Sequence, residues 1–222
     1  MVNVLRSVLK WLLIALAAYL GVCTVLLILF TWVEPLFTTV QAQRAVESLF
    51  ESEPYDFQYE PVERSGLSEH LPHAVVAAED TRFYEHNGID WEAVGKAVEE
   101  MQEGERRRGA SSITQQLAKN LFLTTHSNWI RKGFEVPLTH LTELILSKER
   151  ILTLYLNVVE LDRGVYGAEA AAQHYFGTSA ASLSRWQSAS LAALLPAPRT
   201  RSPHNMQQYA STILGRMKTM GW

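Results

Sequence analysis

One cysteine, Cys23, in a chain of 222 residues leaves nothing from which to build a disulfide framework. No His-Glu-x-x-His run and no paired-cysteine motif occurs, and His70, His73 and His86 lack zinc-type spacing, so a structural zinc has no support and no metal ligand is assigned. The phosphate loop G-x-x-x-x-G-K-[ST] is missing as well, which removes the main argument for ATP binding. Ser7-Val-Leu-Lys10 has an S-x-x-K form used by some acyl-transfer serine enzymes, but no S-D-N or K-T-G partner follows it and the match reads as chance.

Charge is missing from one long stretch. Residues 11–33 contain no charged side chain, and at 1.5 Å of rise per residue this run reaches roughly 34 Å, enough for the hydrocarbon core of a bilayer. It reads as a single transmembrane helix. A cleaved signal peptide would have a shorter apolar core, about 7 to 15 residues, and a small-residue cleavage site, whereas Trp32 and Glu34-Pro35 follow here. Arg6 and Lys10 precede the run and Glu34 follows it, so the positive-inside rule places residues 1–10 in the cytoplasm and the bulk of the chain outside. Cys23 then lies within the span, and the external part has no thiol nucleophile.

Acidic residues are absent from 106–132, which carries six basic ones, while 34–105 holds 17 Asp and Glu against four Lys and Arg. The net charge of -3 hides this reversal. A local basic surface in an acidic domain suits phosphate. A pI of about 6.2 and the lack of a continuous basic stripe argue against a nucleic-acid partner.

Four segments organise the chain: 1–10, the span 11–33, an acidic, turn-rich connector over 34–66 in which little chemistry is expected, and a folded domain over 67–222. Pro72 suits the first turn of a helix through residues 74–78, and Asp90 can cap another running to about Met101. Residues 104–109 form a charged, glycine-bounded loop. Ser112-x-x-Gln115 has the form of a capping box, with Leu117 and Leu121 at helical spacing from Ile113. A longer amphipathic helix is expected over 138–157, with Leu141, Leu144, Ile145, Ile151, Leu152, Tyr155 and Leu156 on its apolar face, as the central core helix. Alanine-rich helices over 168–173 and 187–195 follow, the second stopped by Pro196 and Pro198. With no series of alternating strands, the domain should be mainly α.

Three constellations can carry chemistry. Glu79 and Asp80 end an apolar helix ahead of Phe83, His86 and Gly88; a carboxylate desolvated there titrates nearer neutrality, as a general base requires, although solvated helix-end charges would look the same. Gly109, Ser112, Thr114, Gln115, Gln116, Lys119 and Asn120 open a helix that can hold a pyrophosphate on backbone N–H groups and side-chain donors, or can be a plain capped helix. Arg131, Lys132 and Glu135 stand within a turn or so, as an anion site or as an intrahelical ion pair.

Taken in order, these segments resemble the glycosyltransferase domain of class A penicillin-binding proteins and the monofunctional peptidoglycan transglycosylases. The carriers are Glu79-Asp80-x-x-Phe83-x-x-His86-x-Gly88, Gly109-x-Ser111-x-x-Thr114-Gln115-Gln116-x-x-Lys119-Asn120, Arg131-Lys132-x-x-Glu135 and Lys148-x-x-Ile151-x-x-x-Tyr155-x-Asn157, with Gly164 to Gly177 beyond. The resemblance covers about residues 67–217. Ser112 replaces a common threonine, keeping the hydroxyl, and Thr153 resembles the monofunctional branch.

The resemblance implies a mainly α, lysozyme-like glycosyltransferase domain on one N-terminal transmembrane helix, with the catalytic domain on the outer face of a bacterial inner membrane. Lipid II and the growing glycan strand are the implied substrates. It makes Glu79 the base for the acceptor hydroxyl and Glu135 an aid to departure of undecaprenyl pyrophosphate, through a proton, a cation or positioning of basic groups. Lys119, Arg131 and Lys132 would neutralise the pyrophosphate, with Asp80, Phe83, His86, Ser112, Thr114, Gln115, Gln116 and Asn120 around the substrate. No cofactor is required; Mg2+ or Mn2+ is compatible, though no dedicated cage is visible. Trp129, Ile130 and the Phe122 region are candidates for admitting the lipid tail, and other cell-wall synthesis or division proteins are compatible partners. The chain ends without room for a transpeptidase domain, so glycan polymerisation without peptide cross-linking is the expectation. A lysozyme-like glycoside hydrolase and a non-catalytic lipid II-binding scaffold are the rival readings.

Overall fold

In the computed structural model, residues 2–102, 111–126 and 129–222 are described; the expected loop over 104–109, Gly109 included, lies outside them. The first helix, α1 (Val2–Leu29), contains most of the expected span and runs directly into the domain. Its C-terminal half packs against the domain. Cys23, Leu27 and Phe30 are buried in the same apolar core as the domain helices, and α1 packs on α6 (Trp129–Ile145). Tyr19 donates its hydroxyl to the Phe122 carbonyl at 2.8 Å and meets Phe134 edge to face.

The end of α1 is clamped by α7 (Lys148–Val158). Arg150 donates to the carbonyls of Phe30 (2.7 Å) and Val33 (2.9 Å) and to Glu34, whose other oxygen accepts from Asn157 at 3.0 Å. One guanidinium thus satisfies two carbonyls that a helix C-terminus leaves without intrahelical partners.

The connector is more ordered than its composition suggests. Within 34–66 lies α2 (Thr39–Ser48), started by a Thr38/Gln41 capping box, then strand β1 (Gln58–Tyr59) and a 3-10 turn at Arg64–Gly66. β1 joins a small sheet of order β1-β3-β2, parallel to β3 (Val165–Tyr166), which pairs antiparallel with β2 (Glu160–Asp162). The expectation of a turn-rich connector is corrected here: the capping signal is four residues long and sits among acidic and aromatic residues that carry no helical period.

The domain proper is mainly α. α3 (His70–Glu79) packs on α9 (Arg185–Ala192) and α10 (Gln207–Thr219), and α5 (Ile113–Phe122) packs on α2, α6 and α7. Between them come α4 (Trp91–Gln102), N-capped by Asp90, which accepts from Glu92 and Ala93 N–H at 3.0 Å, and α8 (Ala168–Phe176). The Ser112/Gln115 box opens α5 as expected.

The single helix expected over 138–157 is two. Ser147 leaves the helical region and its hydroxyl accepts from Arg150 N–H at 3.2 Å, so α6 ends at Ile145 and α7 begins at Lys148. An N-cap inside a continuous apolar period is invisible to the period itself. Leu144, placed on the apolar face by that reading, is 81% exposed, whereas all of residues 151–158 are buried.

Glycine is required at three places, one of them Gly164 (φ +81°), where a Cβ would strike the Asp56 carbonyl oxygen. At Gly88 (φ +88°) a Cβ would meet Thr139 and Glu143 of α6, and at Gly167 (φ +83°) it would strike the Asn157 carbonyl oxygen. Gly177 (φ +61°) also has positive φ, but open space surrounds it. Gly167→Ala should therefore lower the thermal midpoint clearly more than Gly177→Ala, which carries only the backbone cost of about 1 kcal/mol. Equal shifts in thermal unfolding would show that the Asn157 contact is not limiting.

Candidate active site

The site is assembled where α3 ends beside the middle of α5. α3 is an alanine- and valine-rich helix with Leu71, Pro72 and residues 74–77 buried, and it stops as Asp80 leaves the helical region. Glu79 is thereby delivered into apolar surroundings. Its carboxylate accepts from Gln116 Nε2 at 2.7 Å, and Gln116 Oε1 in turn accepts from the Tyr155 hydroxyl at 2.8 Å. Burial pushes the Glu79 carboxyl above the usual carboxylate range, against the pull of the Gln116 hydrogen bond and of the Lys119 and Arg201 charges. Tyr155 is fully buried and burial raises its phenol well above the ordinary value, so it keeps its proton and gives it to the Gln116 carbonyl. That bond fixes which end of the amide faces Glu79.

Asp80 serves the frame. It meets His86 Nε2 at 3.0 Å and accepts from the Ile113 N–H, the first of α5, at 3.0 Å. Ser112 completes the joint: its hydroxyl accepts from Gln115 N–H and donates to the Gly88 carbonyl, while its N–H donates to Gln115 Oε1 at 3.0 Å. The Thr114 hydroxyl donates to Glu143, which also holds Lys148 at 2.8 Å, and Lys148 Nζ lies 4.5 Å from the centre of the Phe83 ring. Asn120 is buried, and its carbonyl accepts from Thr39 at 3.2 Å.

The cations lie farther along α5 and at the start of α6. Glu135, 3% exposed, is paired with Arg131 at 2.7 Å and with Lys132 at 2.5 Å. Lys119 has no hydrogen bond or ion pair to a described residue. Burial lowers its ammonium, the charges of Arg131 and Lys132 lower it further, and those of Glu135 and Glu79 hold it up. Among the described residues, Lys119 is thus an unpaired, partly buried cation within electrostatic range of both carboxylates. Such a group can receive an anion without first breaking an ion pair.

A profile of the transglycosylase family matches residues 46–219. Similar curated proteins are named biosynthetic peptidoglycan transglycosylase. That of Chromohalobacter salexigens is 46% identical over 205 residues, covering 92% of this chain and 88% of its own. That of Pseudomonas syringae pv. syringae is 43% identical over 213 residues, 95% of this chain and 89% of its own. That of Bacteroides thetaiotaomicron is 48% identical over 161 residues, 72% and 65% respectively.

The chain belongs to the transglycosylase family.

The family match begins at residue 46, inside the segment read from sequence as connector, and it carries the lysozyme-like, mainly α glycosyltransferase fold. In this transglycosylase-family domain the predicted residues divide into two groups. Glu79, Gln116, Lys119, Arg131, Lys132 and Glu135 form a linked set of carboxylates, amide and cations. Asp80, Phe83, His86, Ser112, Thr114 and Gln115 hold the joint between α3, the Gly88 turn and α5. The α5 N-terminus, read as a pyrophosphate cradle, has Ile113 N–H bonded to Asp80 and Gln115 N–H to Ser112. Trp129 and Ile130 side chains lie outside the described residues, and Phe122 is buried.

Sequence reasoning missed Tyr155 as the support of Gln116, Glu143 and Lys148 beneath Thr114, and Arg201 near Glu79. Tyr155 was quoted within a motif, but only its distance from Gln116 reveals the link. Asp80, His86 and Asp90 bring one donor atom each within 4.8 Å of one another, as a divalent cation would need. Most of their donors are already engaged, Asp80 with His86 and Ile113 N–H and Asp90 Oδ1 with two backbone N–H groups and Arg82, whereas the buried His86 Nδ1 has no hydrogen-bond partner among the described residues. As arranged, these residues form a hydrogen-bonded brace.

Glu79 sets a stability signature. A carboxyl whose folded pKa is raised contributes fully when protonated, and that contribution is lost as pH rises through its folded value. Glu79→Gln keeps an acceptor for Gln116 and has no charge to bury, so its thermal midpoint should exceed that of the wild type above pH 7, with the gap closing toward pH 4. Parallel melting curves from pH 4 to pH 9 would contradict this burial cost.

Proposed function

We propose that this transglycosylase-family chain is a peptidoglycan glycosyltransferase that polymerises lipid II into β-1,4-linked glycan strands with release of undecaprenyl pyrophosphate. The observation that carries the mechanism is the proximity of a partly buried carboxyl of raised pKa, Glu79, to a cation without an ion-pair partner among the described residues, Lys119, beside a second cationic pair. Glu79 takes the proton of the acceptor's 4-hydroxyl as that oxygen attacks the anomeric carbon of the donor with inversion. The anomeric C–O bond to the pyrophosphate breaks, and its electron pair leaves with undecaprenyl pyrophosphate. Lys119, Arg131 and Lys132 stabilise the charge that develops on it.

Among the roles left open for Glu135, its ion pairs to Arg131 and Lys132 favour positioning of those cations. The same pairs disfavour a glycosidase, in which a second carboxyl must serve as free acid, base or nucleophile. Arg6 and Lys10, in the first turns of α1 ahead of its charge-free run, favour a cytoplasmic N-terminus and a catalytic domain on the outer face of the inner membrane.

Full-length protein incubated with labelled lipid II in detergent should yield muramidase-sensitive polymer. Glu79→Gln should lower the rate at least about 100-fold, the ordinary loss for a general base, and Lys119→Ala by a similar order. Shortening of preformed glycan would establish a hydrolase instead, and lipid II binding without turnover a scaffold. Tyr155→Phe frees the Gln116 amide to turn its carbonyl toward Glu79, so the acid limb of kcat/KM should move to higher pH with the polymer product unchanged. A uniform fall in rate with an unmoved limb would assign Tyr155 to packing alone.

A further inference from the structure

Beyond α1, five large apolar side chains among the described residues are more than three-quarters exposed, and four of them fall between residues 32 and 50: Trp32 (76%), Leu36 (88%), Leu49 (78%) and Phe50 (87%). Phe37 and Val46 between them are also exposed. The polar residues of α2 are turned the other way. Gln41 is buried in the capping box, and Arg44 reaches Glu47 at 2.8 Å and Glu160 at 3.4 Å across the domain. Val40 is buried, but Ala42, Ala45 and Val46 face outward beside the exposed flanking corners, so this edge of the domain shows apolar surface where a water-facing helix shows charge.

Its height relative to the span follows from two sets of bonds on one segment. Tyr19, ten residues before the end of α1 and so about 15 Å down its axis, bonds the Phe122 carbonyl. The adjoining Leu123 carbonyl accepts from Thr39 at the start of α2, and Gln43 bonds Thr125 at 2.8 Å. The end of α5 therefore joins the outer half of the span to the first turns of α2. An element tied at that level lies beside the outer leaflet.

We propose that α2, with the 36–37 and 49–50 corners that flank it, is a second, monotopic membrane seat. Leu36, Phe37, Val46, Leu49 and Phe50 enter the lipid interface as an in-plane anchor continuous with the span. The seat rests on the membrane association of the reading above and is independent of its catalysis.

The test is site-directed spin labelling of the full-length chain in phosphatidylethanolamine/phosphatidylglycerol nanodiscs at one copy per disc. Leu49→Cys and Phe50→Cys are labelled in a Cys23→Ala background, with Thr212→Cys on the exposed face of α10 as reference. Relaxation by oxygen, which concentrates in hydrocarbon, is compared with relaxation by a water-soluble nickel chelate. The oxygen-to-nickel ratio at 49 and 50 should exceed that at 212 several-fold. A ratio equal to the reference would place these residues in water and overturn the seat, and exclusion of both probes would mean that protein covers them, which also overturns it. Neither reading needs turnover, so a failure here is distinct from a failure of the glycosyltransferase reading.

Discussion

A helix buried on nearly every side cannot leave its first N–H groups to water, and the site depends on how α5 meets that demand. Asp80 supplies the acceptor for the Ile113 N–H and Ser112 that for the Gln115 N–H, while the Ser112 hydroxyl reaches on to the Gly88 turn. Because Asp80 is bonded there, the preceding residue, Glu79, is held against the next turn of α5, where Gln116 waits. Capping a buried helix and placing a carboxyl of raised pKa are one arrangement. Two motifs separated by some thirty residues are thus parts of a single joint.

The chemistry of the site runs against stability. Glu79 and Lys119 are both partly buried charges whose ionised forms are disfavoured by their surroundings, and neither has an ion-pair partner among the described residues. Their cost is the counterpart of their availability. Glu135 shows the opposite choice, being fully paired within its own helix and thereby fixing two cations near the empty end of Lys119. The rigid parts lie below: Tyr155 under Gln116, and Glu143 with Lys148 under Thr114.

Many signals that act within a turn of their own position were legible in the sequence. The Ser112/Gln115 box, the Asp90 cap and the Arg131–Glu135 spacing appear in the structure as read, and the apolar run appears as a helix that ends at Leu29, short of residue 33. Glu79 and Lys119 could be named from their motifs, but not joined. What stayed hidden was of two kinds. Ser147 interrupts an unbroken apolar period, and the α2 cap is embedded in an acidic stretch, so pattern alone misled in both directions. Arg150 on Glu34, Tyr155 on Gln116 and Thr39 on Leu123 join residues 39 to 116 positions apart, and no spacing rule reaches that far.

The Arg150 clamp has a consequence for how substrate is found. With the guanidinium holding Phe30, Val33 and Glu34, and Tyr19 fastened to Phe122, the anchor is a wall of the catalytic body instead of a tether to it. The body keeps one height above the bilayer and slides with it. Encounter with a lipid-borne molecule is then a search in two dimensions at fixed orientation, governed by surface density in the leaflet and not by concentration in the surrounding volume.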